Sequence, residues 1–183
     1  SASDDSNDYP FNKTTASALS QAQLPPATSG DASVNAAVDG DENTFWHSNY
    51  QGALSEAQGG PWDLDTVDKR YFQLELEEET VLTALRYKPR PTTANGTVVQ
   101  YRVDVSTTTD DVSSFKTVCS GDWAHDNTWK IAVFDQPTAA KYVRLYGVHT
   151  KGRPNSNDPE DEFMSAAEVR VVTADSRADM SRA

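Results

Sequence analysis

The chain has 183 residues, enough for one domain with a real core, and a formal net charge of −12 from 28 acidic and 16 basic side chains. That balance excludes nucleic acid and anionic membrane surfaces as partners, since both need basic faces. No apolar run approaches the roughly 18 residues of a membrane helix, and the single cysteine, Cys119, excludes an internal disulfide and reads as a core thiol.

In chain order, residues 1–26 are rich in Ser, Asp, Ala, Gln and Pro and read as a linker or weakly ordered N-terminal segment. Their opening, "SASDDSNDYPFNKTT", carries no signal-peptide pattern and looks like the middle of a longer polypeptide, so an excised module is expected. Residues 27–173 hold the domain, and 174–183 read as a C-terminal tail or linker. Within the domain the pattern is strand after strand. In "YFQLEL" (71–76), Phe72, Leu74 and Leu76 alternate with polar neighbours; in "VVQYRVDVS" (98–106), Val99, Tyr101, Val103 and Val105 do the same. "KYVRLYG" (141–147) and "AEVRVV" (167–172) alternate likewise, and "VLTALRY" (81–87) and "KIAVF" (130–134) are more apolar. Turn signals fall at Asn95-Gly96, Thr109-Asp110-Asp111, Ser120-Gly121-Asp122 and Gln136-Pro137. No long helical period appears, so an antiparallel all-β sandwich or barrel is expected.

Four fragments carry chemistry. "VDGDENTFWH" (38–47) offers Asp39, Asp41 and Thr44 around Gly40, as a hard-cation loop would, and an Asx-type turn explains the same residues without a metal. It is not an EF-hand. His47 follows Trp46; a zinc site would need further nitrogen or sulfur ligands, and no G-x-S-x-G elbow accompanies it. In "YKPRPTTANG" (87–96), Arg90 stands between two prolines in a stiff loop, with Asn95 at the turn: a planar donor fork and an amide suited to hydroxyls or a carboxylate, or a plain surface turn. Asn95-Gly96-Thr97 and Asn12-Lys13-Thr14 also match the N-glycosylation sequon. In "DEFMSAAEVRVV" (161–172), Phe163 precedes small residues and Glu168 opens the final strand.

Taken in order, "AAVDGDENTFWHSNY", "YFQLEL", "LRYKPRPTTANG", "YRVDVSTT", "SGDWAHDNTWK", "KYVRLYG" and "FMSAAEVRV" closely resemble the F5/8 type C, or discoidin, domain, and within it carbohydrate-binding module family 32, over residues 30–172. The resemblance implies a jelly-roll β-sandwich of about eight strands. It implies a structural Ca²⁺, occasionally Na⁺, held by the carbonyls of Ala36 and Ala167, the side chains of Asp39 and Glu168, Asp41, and Thr44 through carbonyl and hydroxyl. It places a sugar among His47, Arg90 and Asn95 as hydrogen-bonding groups and Phe163 as stacking ring, with Tyr50 a second aromatic and an acidic residue near Asp31 a further contact. Trp62, in the long loop 49–70, reads as a second platform or a packing anchor; Trp123 and Trp129 read as structural. The implied function is a non-catalytic, monomeric module of a secreted or cell-surface multimodular glycoside hydrolase, binding glycans with terminal galactose or N-acetylgalactosamine-type sugars. The alternative is a discoidin domain with a lipid or protein partner, which the acidic charge and lone cysteine disfavour.

Overall fold

An extended chain turns successive side chains to opposite sides, so alternating sequence makes strands wherever one side is buried. The computed structural model describes residues 7–22, 32–50 and 60–174. Within them run eight strands: β1 (Thr14–Ala18), β2 (Trp46–His47), β3 (Tyr71–Lys88), β4 (Thr97–Ser106), β5 (Lys116–Asp122), β6 (Lys130–Lys151), β7 (Ser165–Ala166) and β8 (Glu168–Thr173). The larger sheet has the order β1–β3–β6–β4–β5 with β8 also on β3, while β2 and β7 form a separate ribbon; all pairings are antiparallel. This is the expected antiparallel β-sandwich. No helix among the described residues is long and apolar enough to cross a membrane.

Two long strands do most of the joining. β3 shifts register against β6 between Glu75 and Thr80. Before that break it pairs with β1 and the second half of β6; after it, with β8 and the first half of β6. β6 therefore runs through Gln136-Pro137, which the sequence marks as a turn. Exposed Pro137 lies between Val133 and Thr138, the partners of Ala84 and Leu82, at the second register shift. Its missing N–H costs no ladder bond there. Ser120-Gly121-Asp122, also read as a turn, lies inside β5. Gly121 pairs with Tyr101, whose hydroxyl would sit 2.7 Å from an added Cβ, so the glycine serves a close approach. In β4 a bulge between Val98 and Gln100 puts Val98, not Val99, in the core.

The linker reading does not hold for residues 7–22. β1 lies along Phe72–Leu76, and Tyr9 is buried with its N–H donated to the Val171 carbonyl. Asp8 accepts from the guanidinium of Arg86 at 2.6 Å and of Arg170 at 3.5 Å. "TTASA" hides from pattern reading because only the small side chains of Ala16 and Ala18 pack on the core; backbone pairing to β3 holds it. Of the expected tail, all beyond Ala174 is outside the described residues, as is Asp31.

The core gathers Trp46, Phe72, Leu74, Leu82, Leu85, Tyr87, Val103, Leu145 and Val171. Trp46 is fully buried, packs on Phe72 at 5.1 Å between ring centres, and donates its indole N–H to Ser20 at 3.0 Å. Truncating such a side chain costs about 3–5 kcal/mol. Cys119 is buried, and burial, then the charges of Asp135 and Asp104, push its thiol up to about 12, as a core thiol should be.

Candidate functional site

Because the chain is extended through Phe45-Trp46-His47, Phe45 and His47 share one side while Trp46 points into the core. That side opens on a cavity of about 320 Å³ lined by Ala32, Phe45, His47, Tyr50, Arg90, Asn95 and Phe163. All five residues expected to meet a sugar are therefore in one place. Phe45 and Ala32 were not foreseen. The signal for Phe45 was present in the alternation that sends Trp46 inward.

His47 is set by the β2–β7 ribbon, where it pairs with Ser165. Its Nδ1 lies 2.6 Å from the Ser48 carbonyl. A carbonyl only accepts, so Nδ1 carries the proton and Nε2 keeps a lone pair. Burial lowers the imidazole pKa to about 4, against the Ser48 bond and with help from nearby Arg90. At neutral pH His47 is an uncharged acceptor.

Arg90 is held between Pro89 and Pro91, with Thr93 donating to its carbonyl at 3.1 Å and Asn127 donating to the Pro91 carbonyl at 2.9 Å. Its guanidinium lies 4.1 Å over the Phe45 ring. Asn95 is fixed through the next residues. Ser165 donates its hydroxyl to the Asn95 carbonyl at 2.8 Å and its N–H to Gly96 at 2.9 Å. Gly96 has φ 85°, and a Cβ there would come within 2.6 Å of the Met164–Ser165 backbone, so only glycine fits this turn. Arg90 Nε and Asn95 Oδ1 are both buried with no hydrogen-bond partner among the described residues. Each such group costs about 1–3 kcal/mol until something satisfies it.

The aromatic residues differ in exposure. Phe163, expected as the stacking ring, is 8% exposed and lies 5.7 Å from His47; Tyr50 is 46% exposed and meets His47 edge-on at 5.1 Å. Phe163 is thus a recessed wall and Tyr50 the open ring. The Phe163 loop is pinned by Arg70, a buried guanidinium that donates to the carbonyls of Leu64, Gly147, Val148 and Asp161 at 2.7–2.9 Å. Trp62 is partly exposed and does not line the cavity. Trp123 stacks on Tyr87 and Tyr101, and Trp129 lies under Arg86 and Arg170.

The first half of the same stretch forms a knot of oxygens. The Thr44 hydroxyl lies within hydrogen-bond reach of the Ala36 carbonyl at 3.3 Å, the Asp41 carbonyl at 3.0 Å and an Asp39 carboxylate oxygen. One hydroxyl proton cannot serve three acceptors at once. Fully buried Glu168 reaches in from β8, accepts the Gly40 N–H at 2.8 Å and lies against Asp39. Burial, then that Asp39 contact, push its carboxyl up to about 8. Ala167, also buried, adjoins it. Gly40 has φ 79° and approaches the Phe11 ring too closely for a Cβ. No group of three or more His, Cys, Asp or Glu gathers among the described residues. Here two carboxylates are completed by carbonyl and hydroxyl oxygens, a donor set that fits a hard cation.

A sandwich with a small loop-built cavity, lined by an uncharged imidazole acceptor, a guanidinium, an amide and aromatic walls, has the groups to hold a small hydroxylated ligand. The chain belongs to the F5/8 type C domain family, whose model matches residues 14–169. It is similar to a family 32 module from Clostridium perfringens, CpGH89CBM32-5, solved with GalNAc-β-1,3-galactose (24% identity, 91% of this chain and 99% of that one, TM-score 0.66). It is also similar to the family 32 module of C. perfringens NanJ, solved with galactose (23% identity, 90% and 97%, TM-score 0.64). Among curated proteins it is 30% identical over 144 residues to galactose oxidase from Gibberella zeae. The match covers 78% of this chain and spans 18% of that relative's length.

Proposed function

We propose that the chain is a non-catalytic carbohydrate-binding module for terminal galactose or N-acetylgalactosamine-type sugars, with a structural Ca²⁺ in the Asp39–Thr44/Glu168 knot. The observation that carries this is the convergence of His47, Arg90, Asn95, Tyr50 and Phe163 on one small cavity. A sugar hydroxyl both donates and accepts, so it suits the His47 acceptor, the Arg90 guanidinium and the Asn95 amide; the C–H face of the ring suits Tyr50 and Phe163. The ligands bound by the two clostridial modules, galactose and GalNAc-β-1,3-galactose, support the same sugar class. Ca²⁺, when bound, would supply positive charge to the knot and tie the early loop to β8.

We place the module in a longer, secreted or surface-attached carbohydrate-active enzyme. The resemblance implies a glycoside hydrolase; the galactose oxidase similarity supports an oxidase equally. A single site of this size would bind weakly, about −4 to −6 kcal/mol, and tethering makes that useful by raising effective concentration. A lipid-binding role draws less support, because Phe163 is recessed instead of projecting and the chain carries a net charge of −12.

Calorimetry with galactose tests the reading. Wild type should bind in the millimolar to high-micromolar range, and Arg90→Ala should lose about 2 kcal/mol, roughly thirtyfold, with its melting temperature little changed. Undiminished binding by the variant would move the site elsewhere.

A further inference from the structure

Arg90 and Asn95 do not face one cavity only. On their other side lies a second concavity of about 310 Å³, lined by Arg90, Thr92, Ala94, Asn95, Arg153 and Asp158. Both hollows are at the lower end of the roughly 300–1,000 Å³ of small-molecule sites, room for one small ring each. Since they share two lining residues, the two hollows adjoin.

The far wall of the second hollow is a built feature. Arg153 donates its backbone N–H at 3.0 Å and its Nε at 3.1 Å to one oxygen of Asp158. The turn between them is closed by Ser156, whose hydroxyl donates to the Arg153 carbonyl at 2.7 Å and accepts the Asp158 N–H at 3.2 Å. Gly152 is the seam. A Cβ on it would come within 2.1 Å of the Asp158 Cβ and 3.0 Å of Asn95 Oδ1. The absent side chain lets the Asp158 turn close against Asn95. The Arg153 bonds hold the Asp158 carboxyl down to about 2, so it is ionised across the neutral range. A carboxylate has about four acceptor positions, of which Arg153 uses two, and a guanidinium has five donors. The pair therefore presents both donors and acceptors to a neighbouring hydroxyl.

Resting on the sugar reading, we propose that this hollow is a second subsite, which takes the next ring of a glycan whose terminal sugar occupies the first, and that it selects an uncharged ring. The charge pattern sets the selection. Asp158 already neutralises Arg153, and the segment continues with Glu160, Asp161 and Glu162 on a chain of net charge −12. A carboxylate or sulfate on the second ring would meet this field, and Arg90, the lining cation that has no ion pair among the described residues, is shared with the first ring.

The test titrates wild type and Arg153→Ala with galactose, with neutral disaccharides bearing terminal galactose in several linkages, and with disaccharides acidic on the second ring. The Arg153 side chain is 64% exposed, so the variant should fold, and its melting curve checks this. The best neutral disaccharide should bind wild type about tenfold tighter than galactose, the worth of one or two hydrogen bonds. Arg153→Ala should lose that advantage and keep galactose affinity unchanged. Disaccharides that all bind like galactose, or an advantage that survives the substitution, would overturn the subsite. An acidic second ring that binds best would overturn the selection. Absence of galactose binding by wild type would instead remove the sugar reading and this inference with it.

Discussion

The two halves of "VDGDENTFWH" make an instructive pair. Asp39–Thr44 turns its oxygens on one another and on Glu168, so that acceptors outnumber protons. Phe45–His47 sends one ring into the core and two side chains into a cavity whose other walls include Arg90 and Asn95. On the proposed reading the first half answers to an ion and to the integrity of the loop, and the second to a ligand. Their neighbourhood in sequence is what lets a stability device position a recognition device, since the knot fixes the chain just before β2 begins. Disturbing the knot should therefore act on folding, and disturbing the cavity on binding.

The largest expected effect breaks the knot. Chelation should destabilise the fold by about 3–4 kcal/mol, the linkage for an ion present at roughly 100 to 1,000 times its dissociation constant, and lower the melting temperature by several degrees. Differential scanning calorimetry with and without chelator, beside a metal assay of the purified protein, checks this. A melting curve indifferent to chelator, together with metal-free protein, would show that the oxygens are satisfied without a cation. The knot would then be only a turn.

Much of this division was legible in sequence, and the exceptions have physical causes. β3, β4, β6 and β8 alternate because one side of each is buried, although β3 and β6 hide the register shifts that let them run through apparent turns. β2 and β7 have two residues each, too few to show a period, yet they set His47 against Ser165. Arg70 illustrates the other limit. It is 2% exposed because nearby Leu64, Gly147 and Val148 of β6 and the loop at Asp161 bring it four carbonyls. Acceptors of that kind belong to the backbone and leave no trace in side-chain pattern. The roles of Gly152 and Gly96 are hidden for the same reason, since each depends on what another segment places beside it.

A smaller effect sharpens the comparison from the cavity side, through pH. The His47 imidazole falls from its ordinary 6.5 to about 4, chiefly through burial. The folded state thus prefers the neutral ring. Its contribution to stability is complete above pH 6.5 and is lost as pH falls from there through about 4, by up to about 3 kcal/mol. At pH 5 the folded protein still keeps the ring neutral, so Nε2 still accepts. Galactose affinity at pH 5 should remain within about twofold of that at pH 7.5. A transition in affinity centred near the ordinary histidine value would mean that His47 binds as a charged donor, which would reverse its assigned role.

The smallest effect separates the two aromatic walls. Tyr50 is 46% exposed and Phe163 is 8% exposed, so truncating them removes different things. Tyr50→Ala deletes an open ring edge-on to His47 and should weaken galactose binding by about 1 kcal/mol, within the usual worth of an exposed aromatic contact, without measurable change in melting. Phe163→Ala removes a ring from the packed wall and should reduce both binding and stability. The ratio of the two losses is the informative quantity. If Tyr50→Ala leaves binding intact while Phe163→Ala abolishes it without touching stability, the recessed ring is the true platform, and the loop around it must open to let a sugar lie flat. If both variants bind as wild type, the hydrogen-bonding groups alone carry recognition. The aromatic walls would then serve to hold Arg90 and His47 in place, as the Phe45 ring already does beneath the Arg90 guanidinium.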